Sequence, residues 1–233
     1  MSLAFITGGS RGLGLATAQA LSQRGIDVVL FAKDAQRLGD AAQKLGARFE
    51  VVDLANQEQT RAVFRAALES YGVPDIAILA HGVMSEKMAK TLRTTDEEWR
   101  RVMSINLDSV FTIVNEVGGA MAQARHGRVI IYSACLGRMS GPGNAGGLAP
   151  YRISKAGVNA LVRNLAHETG HGSRGLWVDA ICPNHSRTDM GGPDAPRSAE
   201  EGAATAVWLA TRELVPGQTQ TGLLWEDNQV VPW

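Results

Sequence analysis

The sequence predicts an α/β fold: a single domain over residues 1–233, with a doubly wound, mostly parallel seven-stranded sheet and helices on both faces. Three observations predict it. Short β-branched runs alternate with longer amphipathic stretches, the pattern of strands joined by helical crossovers. A glycine-rich segment, Thr7-Gly8-Gly9-Ser10-Arg11-Gly12-Leu13-Gly14, follows the first run and opens the first amphipathic stretch, giving strand, tight turn and helix in immediate succession. A chain of 233 residues with 45% hydrophobic content can bury one substantial core.

In chain order, the expected strands are 3–7, 27–32, 48–53, 76–79, 129–133, 177–182 and 222–225. Helices are expected between them at 12–24, 35–45, 57–71, 96–123, 151–169 and 198–211. The helix at Asp96 has a defined start, because Thr95 can cap it while Glu98 reaches back to complete a capping box. Two loops rich in glycine and proline, 137–150 and 189–197, follow carboxyl ends of strands, where an open parallel sheet places its ligands. No repeat, linker or low-complexity segment interrupts the pattern.

Charge narrows the range of partners. Lys plus Arg and Asp plus Glu balance at 23 each, and no long charge run occurs, so neither nucleic acid nor an anionic membrane is expected to bind. A small-molecule partner is expected instead. The first strand candidate begins at Leu3, leaving no room for a signal peptide, and no apolar stretch approaches the ~20 residues that cross a bilayer, which predicts a cytoplasmic protein. Cys135 and Cys182 end apolar runs and are expected as free, buried thiols, with no structural disulfide.

The residues that carry chemistry lie in two places. Gly8, Gly12 and Gly14 allow a backbone to approach a pyrophosphate while the helix N-terminus supplies N–H donors and positive dipole; Ser10, Arg11 and Leu13 are placed by the same loop. After the second strand stands Ala32-Lys33, where NAD-preferring sites carry an acid; Lys33 with Arg11 can neutralise a 2′-phosphate, so NADP is expected over NAD. The second place is Tyr151-Arg152-Ile153-Ser154-Lys155. At i and i+4 on a helix, Tyr151 and Lys155 share a face, and the ammonium is expected to lower the phenol pKa and make it a usable acid.

Further segments fit one pattern: Asp53-Leu54, Gly82 in Leu79-Ala80-His81-Gly82, Ser104-Ile105-Asn106-Leu107, Pro183, and Thr188 in Thr188-Asp189-Met190. With the glycine loop and the Tyr151/Lys155 pair, the chain resembles the short-chain dehydrogenase/reductase family over essentially its whole length, and its tail, through 198–203 and the terminal Trp233, resembles the monomeric carbonyl-reductase branch. The resemblance implies a single-domain Rossmann fold. It also implies Tyr151 as the acid, Lys155 as its partner on the nicotinamide ribose, and Asn106 holding a proton-relay water. Asp53, Leu54, Gly82, Pro183 and Thr188 join the glycine loop and Lys33 as cofactor contacts.

Three positions depart from the family pattern. The family's Asn-Asn-Ala-Gly is here Leu79-Ala80-His81-Gly82, so the asparagine that ties neighbouring strands is missing. The family's catalytic serine position falls on Ala134, leaving Ser133 as the catalytic candidate, with Ser140, Asn144 or a water as substitutes. Asn184-His185-Ser186 brings polar groups to the nicotinamide end, and His81 and His185 are expected to be structural. His167-Glu168-Thr169-Gly170-His171 matches a zinc-protease pattern, but it lies where glycines end a helix, so no metal is expected.

The sequence thus predicts an NADPH-dependent carbonyl reductase or ketoreductase acting on a ketone or aldehyde. Two alternatives remain open: a cyclase, dehydratase or isomerase that uses Tyr151 as acid or base without net redox change, and an NADP-binding sensor. Monomer and homo-oligomer are equally compatible with it.

Overall fold

The protein is described from a computed structural model covering residues 2–86, 90–141 and 146–233. The strands are β1 (Leu3–Thr7), β2 (Asp27–Ala32), β3 (Arg48–Val51), β4 (Ile76–Leu79), β5 (Gly127–Tyr132), β6 (Leu176–Ile181), β7 (Leu224–Glu226) and β8 (Gln229–Val231). The helices are α1 (Gly12–Ser22), α2 (Ala35–Leu45), α3 (Gln57–Tyr71), α4 (96–124), α5 (Ala149–Glu168) and α6 (Ala199–Thr211). One sheet runs in the order β3-β2-β1-β4-β5-β6-β7-β8, parallel throughout except for the antiparallel β7/β8 pair. The order reverses between β1 and β4, which opens a crevice at their carboxyl ends.

The sheet has eight strands rather than the expected seven. The eighth comes from a hairpin whose two turn residues, Asp227 and Asn228, take left-handed φ of 51° and 61°. Such a turn matches the twist of the strands it joins, and its Asp-Asn sequence was the available signal. The helix expected at 96–123 is continuous but contains two π-helical stretches, Ser104–Asp108 and Val114–Gly118. Thr95 caps it by accepting from the Glu98 N–H. At α6 the capping box is complete, Ser198 and Glu201 each accepting from the other's backbone.

Alternation along the strands divides the core into two layers. Phe5, Phe31, Phe64, Val110 and Val158 pack between the sheet and α3, α4 and α5. Ile6, Leu21, Leu30, Ala206 and Leu209 pack between its other face and α1, α2 and α6. Burial on both faces is what near-continuous apolar strands demand, and it leaves the carboxyl ends of the strands as the place where polar side chains gather. Among the described residues, no helix is long and apolar enough to cross a membrane.

One expectation is overturned outright: Cys135 and Cys182 are not free thiols but a disulfide. β5 and β6 pair in register up to Tyr132 and Ile181, so the residues just beyond them leave the sheet side by side. Their Cα atoms are 5.4 Å apart, within the range a disulfide spans. A separation of 47 residues hides this adjacency in the sequence.

Candidate active site

The β1–α1 loop is shaped by its glycines. Gly8 and Gly12 have φ of +67° and +54°, and a Cβ on Gly14 would lie 2.3 Å from the Gly8 carbonyl oxygen. A Cβ on Gly12 would press on the Thr188 methyl at 3.1 Å. The result is a side-chain-free backbone at the N-terminus of α1, a cradle that suits a pyrophosphate. Beyond the carboxyl ends of β2 and β3, Lys33 Nζ lies 2.7 Å from Asp53, whose carboxyl is held below its usual range by that hydrogen bond. Arg11 pairs with Asp189 across the groove, and Arg37 lies 3.8 Å from the same carboxylate. Ser10 instead lines a separate depression with Arg37 and Lys44, and Leu54 packs into the core.

Beyond the glycine loop lies a cavity of 510 Å³, lined by Leu13, His81, Gly82, Ser133, Ala134, Tyr151, Lys155, Pro183 and Thr188 among others. Thus the structure brings Tyr151, Lys155, Ser133, Leu13, Gly82, Pro183 and Thr188 to one cavity, while Gly8, Ser10, Arg11, Gly12, Gly14, Lys33, Asp53, Leu54 and Asn106 do not line it. Tyr151 and Lys155 are 6% and 4% exposed, with the ammonium 5.9 Å from the phenol ring centre. Lys155 donates to the Tyr132 carbonyl at 2.6 Å. Burial pushes the Tyr151 phenol up to about 12 and the Lys155 ammonium down to about 8. The expected lowering of the phenol is therefore not what the geometry gives: desolvation outweighs the lysine, whose ammonium is engaged by a carbonyl.

Asn106 is fully buried and sits beside Lys155, since a Cβ on Gly82 would touch both Asn106 Oδ1 and Lys155 Nζ, at 3.4 and 3.5 Å. Its side chain is occupied: Oδ1 accepts from the Val83 N–H, and Nδ2 donates to the Val83 carbonyl and to Ser154 Oγ. It anchors the segment after β4 to the first π-helical stretch, where the shifted backbone register frees carbonyls for other partners. Ser133 has its hydroxyl directed to Asn159 Oδ1 at 2.5 Å and to the Lys155 carbonyl at 3.3 Å. Ala134, a residue later, supplies only a methyl to the cavity wall. Ser140 donates to the Trp233 carbonyl, and Asn144 lies outside the described residues.

His81 repairs the departure after β4. Its ring bridges Thr7 Oγ1 on β1, at 2.6 Å, and Ser109 Oγ on α4, at 2.7 Å. Burial and the nearby Lys155 charge drop its pKa to about 3, so it stays neutral, and Thr7 also accepts from the Ala80 N–H. A histidine thus ties strand to helix where the family uses an asparagine. His185 is likewise engaged, with Nε2 2.7 Å from the Gly191 carbonyl. The zinc-protease pattern dissolves because α5 ends at Glu168 and His171 takes a left-handed φ of 47°, so the two imidazoles do not share a continuous helix.

Another part of the cavity lining was not anticipated. It holds the Cys135–Cys182 disulfide, Asn184, Glu226 and Arg138. Asn184 Nδ2 donates to Glu226 Oε1 at 3.0 Å, and Arg138 Nη1 lies 3.9 Å from Glu226 Oε2. Adjacent strand ends bring these residues together from three separate segments.

The short chain dehydrogenase family model matches residues 2–199. The chain belongs to this family. It is an oxidoreductase acting between CH–OH and carbonyl groups with a nicotinamide cofactor. The chain is 36% identical over 193 residues to 3-oxoacyl-(acyl-carrier-protein) reductase FabG of Escherichia coli (strain K12), covering 81% of this chain and 75% of that protein. The Vibrio cholerae serotype O1 protein of the same description is 34% identical over 190 residues, with the same coverage. Among solved structures, a short chain dehydrogenase/reductase family protein superposes with a TM-score of 0.78 at 25% identity, covering 90% of this chain and 89% of that one. A structure titled ribose-5-phosphate isomerase from Brucella melitensis 16M gives 0.80 at 26% identity, covering 90% and 84%.

Proposed function

We propose that this short-chain dehydrogenase is an NADPH-dependent ketoreductase that reduces a ketone or aldehyde small enough for the 510 Å³ cavity. One observation carries the reading: Tyr151 and Lys155 line one cavity with Leu13 of the glycine loop and with Thr188, against whose methyl Gly12 packs. Gly8, Gly12 and Gly14 would hold the pyrophosphate, Lys155 the nicotinamide ribose, and Pro183 and Thr188 the nicotinamide. Lys33 and Arg11 would meet a 2′-phosphate in exchange for Asp53 and Asp189, their present partners. When bound, the nicotinamide supplies the hydride for the carbonyl carbon.

The protein's own part is proton chemistry. A phenol near 12 is a weak acid in water, yet an alkoxide is a stronger base still, so Tyr151 can give it a proton favourably. Lys155, near 8, is the stronger acid of the pair and can return a proton to the phenolate. Asn106 fixes the backbone beside Lys155, the point at which a solvent relay would begin.

The test is NADPH oxidation across a panel of ketones, aldehydes and 3-oxoacyl thioesters, the last chosen because the curated relatives are named for them. Tyr151→Phe is expected to lower kcat by about 10²- to 10⁴-fold with coenzyme binding retained. A second reading, acid–base chemistry without net redox change, is favoured by Ala134 in place of a hydroxyl and by the engagement of the Ser133 hydroxyl with Asn159. Product formed without NADPH consumption would establish it, and one NADPH oxidised per product would exclude it.

A further inference from the structure

The cavity lining also carries soft ligands that the ketoreductase reading does not use. Cys135 Sγ, Cys182 Sγ and a Glu226 carboxylate oxygen lie within 4.8 Å of one another and line the cavity. Their surroundings are built rather than incidental. Asn184 Nδ2 holds Glu226 Oε1 at 3.0 Å, which leaves Oε2 facing the sulfurs, 3.3 Å from Cys135 Sγ. Arg138 lies alongside, its side chain 11% exposed and Nη1 3.9 Å from that same oxygen. Its buried Nε has no hydrogen-bond partner.

We propose that the reduced Cys135/Cys182 pair and Glu226 form a binding site for a thiophilic divalent cation such as Zn²⁺, closed whenever the pair is a disulfide. Two thiolates and one carboxylate are a donor set that zinc accepts, and three protein ligands leave a fourth position open to the cavity. Asn184 orients the carboxylate, as outer partners of metal ligands do. Arg138 offsets the net negative charge left when three anionic ligands meet a dication.

The chemistry balances with an external dithiol as reductant. The dithiol's two electrons and two protons pass to the protein disulfide, the dithiol closes into its own disulfide, and two cysteine thiols result. Cation binding then forms two metal–sulfur bonds and releases both protons. The site is independent of the reductase reading, since it requires neither Tyr151 nor the coenzyme.

Purified full-length protein without an affinity tag is reduced with an excess of a small dithiol, desalted anaerobically until the dithiol is gone, and titrated with Co²⁺, then with Zn²⁺. The expected result is one Co²⁺ per chain with thiolate-to-cobalt charge-transfer absorption, bleached on adding Zn²⁺. The oxidised wild-type protein should give no such band, a control that needs no mutation. Cys182→Ser is expected to abolish the band, and Glu226→Gln to keep thiolate character while weakening the affinity. The proposal is overturned if reduced wild-type protein develops no thiolate–cobalt band, or if Glu226→Gln binds cobalt as tightly as wild type.

Discussion

The two ends of the ligand crevice are built by different means. At the β1/β4 end, backbone does the work: bare glycines open α1, and His81 bolts β1 to α4. At the β5/β6/β7 end, side chains from three distant segments make the wall, with Ala134, the Cys135–Cys182 disulfide, Asn184 and Glu226 brought together only by strand adjacency. The first end tolerates little change because a steric rule fixes it. The second can be rewritten residue by residue on an unchanged scaffold, which is how one fold serves many substrates.

The largest expected effect would break the first end. Gly14→Ala places a methyl 2.3 Å from the Gly8 carbonyl oxygen, a main-chain atom rather than the end of a flexible side chain. Loss of more than ~4 kcal/mol of stability is expected in urea denaturation, together with loss of coenzyme binding. A tolerated alanine would show that the glycine loop is looser than its geometry requires.

Ala134→Ser tests the second end. If that wall lacks only a donor for the substrate oxygen, restoring one should raise kcat toward the ~10²-fold that a single such donor supplies. An unchanged or reduced kcat would show that the substrate oxygen is held elsewhere, and steady-state assays with the preferred carbonyl decide it.

The His81 bolt has a pH signature. Its folded-state value near 3 lies below the ordinary 6.5, so between these values the unfolded chain binds a proton that the folded protein does not. This residue therefore adds no pH dependence to stability above 6.5, and below it stability falls as pH drops toward 3, by up to ~1.4 kcal/mol per pH unit. Denaturation of His81→Asn across that window should lack this contribution; an unchanged difference between the proteins at all pH values would contradict it. The smallest effect belongs to an exposed charge: Lys33→Ala should weaken NADPH binding by about 1 kcal/mol and leave NADH binding as it was. Equal losses for both coenzymes, measured by titration calorimetry, would remove Lys33 from 2′-phosphate recognition.

What the sequence showed and what it missed divide along the same line. The glycine loop, the alternation of strands and helices, and the Tyr151/Lys155 pair are local patterns, and each was legible because its physics is contained within a few residues. Ser133 shows the limit. Its neighbour relation to Ala134 was readable, but its hydroxyl goes to Asn159, 26 residues away, and only packing reveals that. The cysteines fail in the same manner: each ends an apolar run, and nothing local says that the two runs are neighbours. The eighth strand was missed for a lesser reason, because three residues on each side of an Asp-Asn turn give almost no periodicity.

By itself, then, the amino-acid order determined the fold class, the bare glycine turn that opens α1 and the shared helix face of Tyr151 and Lys155, because steric rules at glycine and the 3.6-residue helical repeat act over short spans. The tertiary structure decided the phenol's proton affinity, the role of His81, the disulfide and the Glu226 wall. Those depend on burial and on contacts between segments tens of residues apart, which exist only once the strands have been laid side by side.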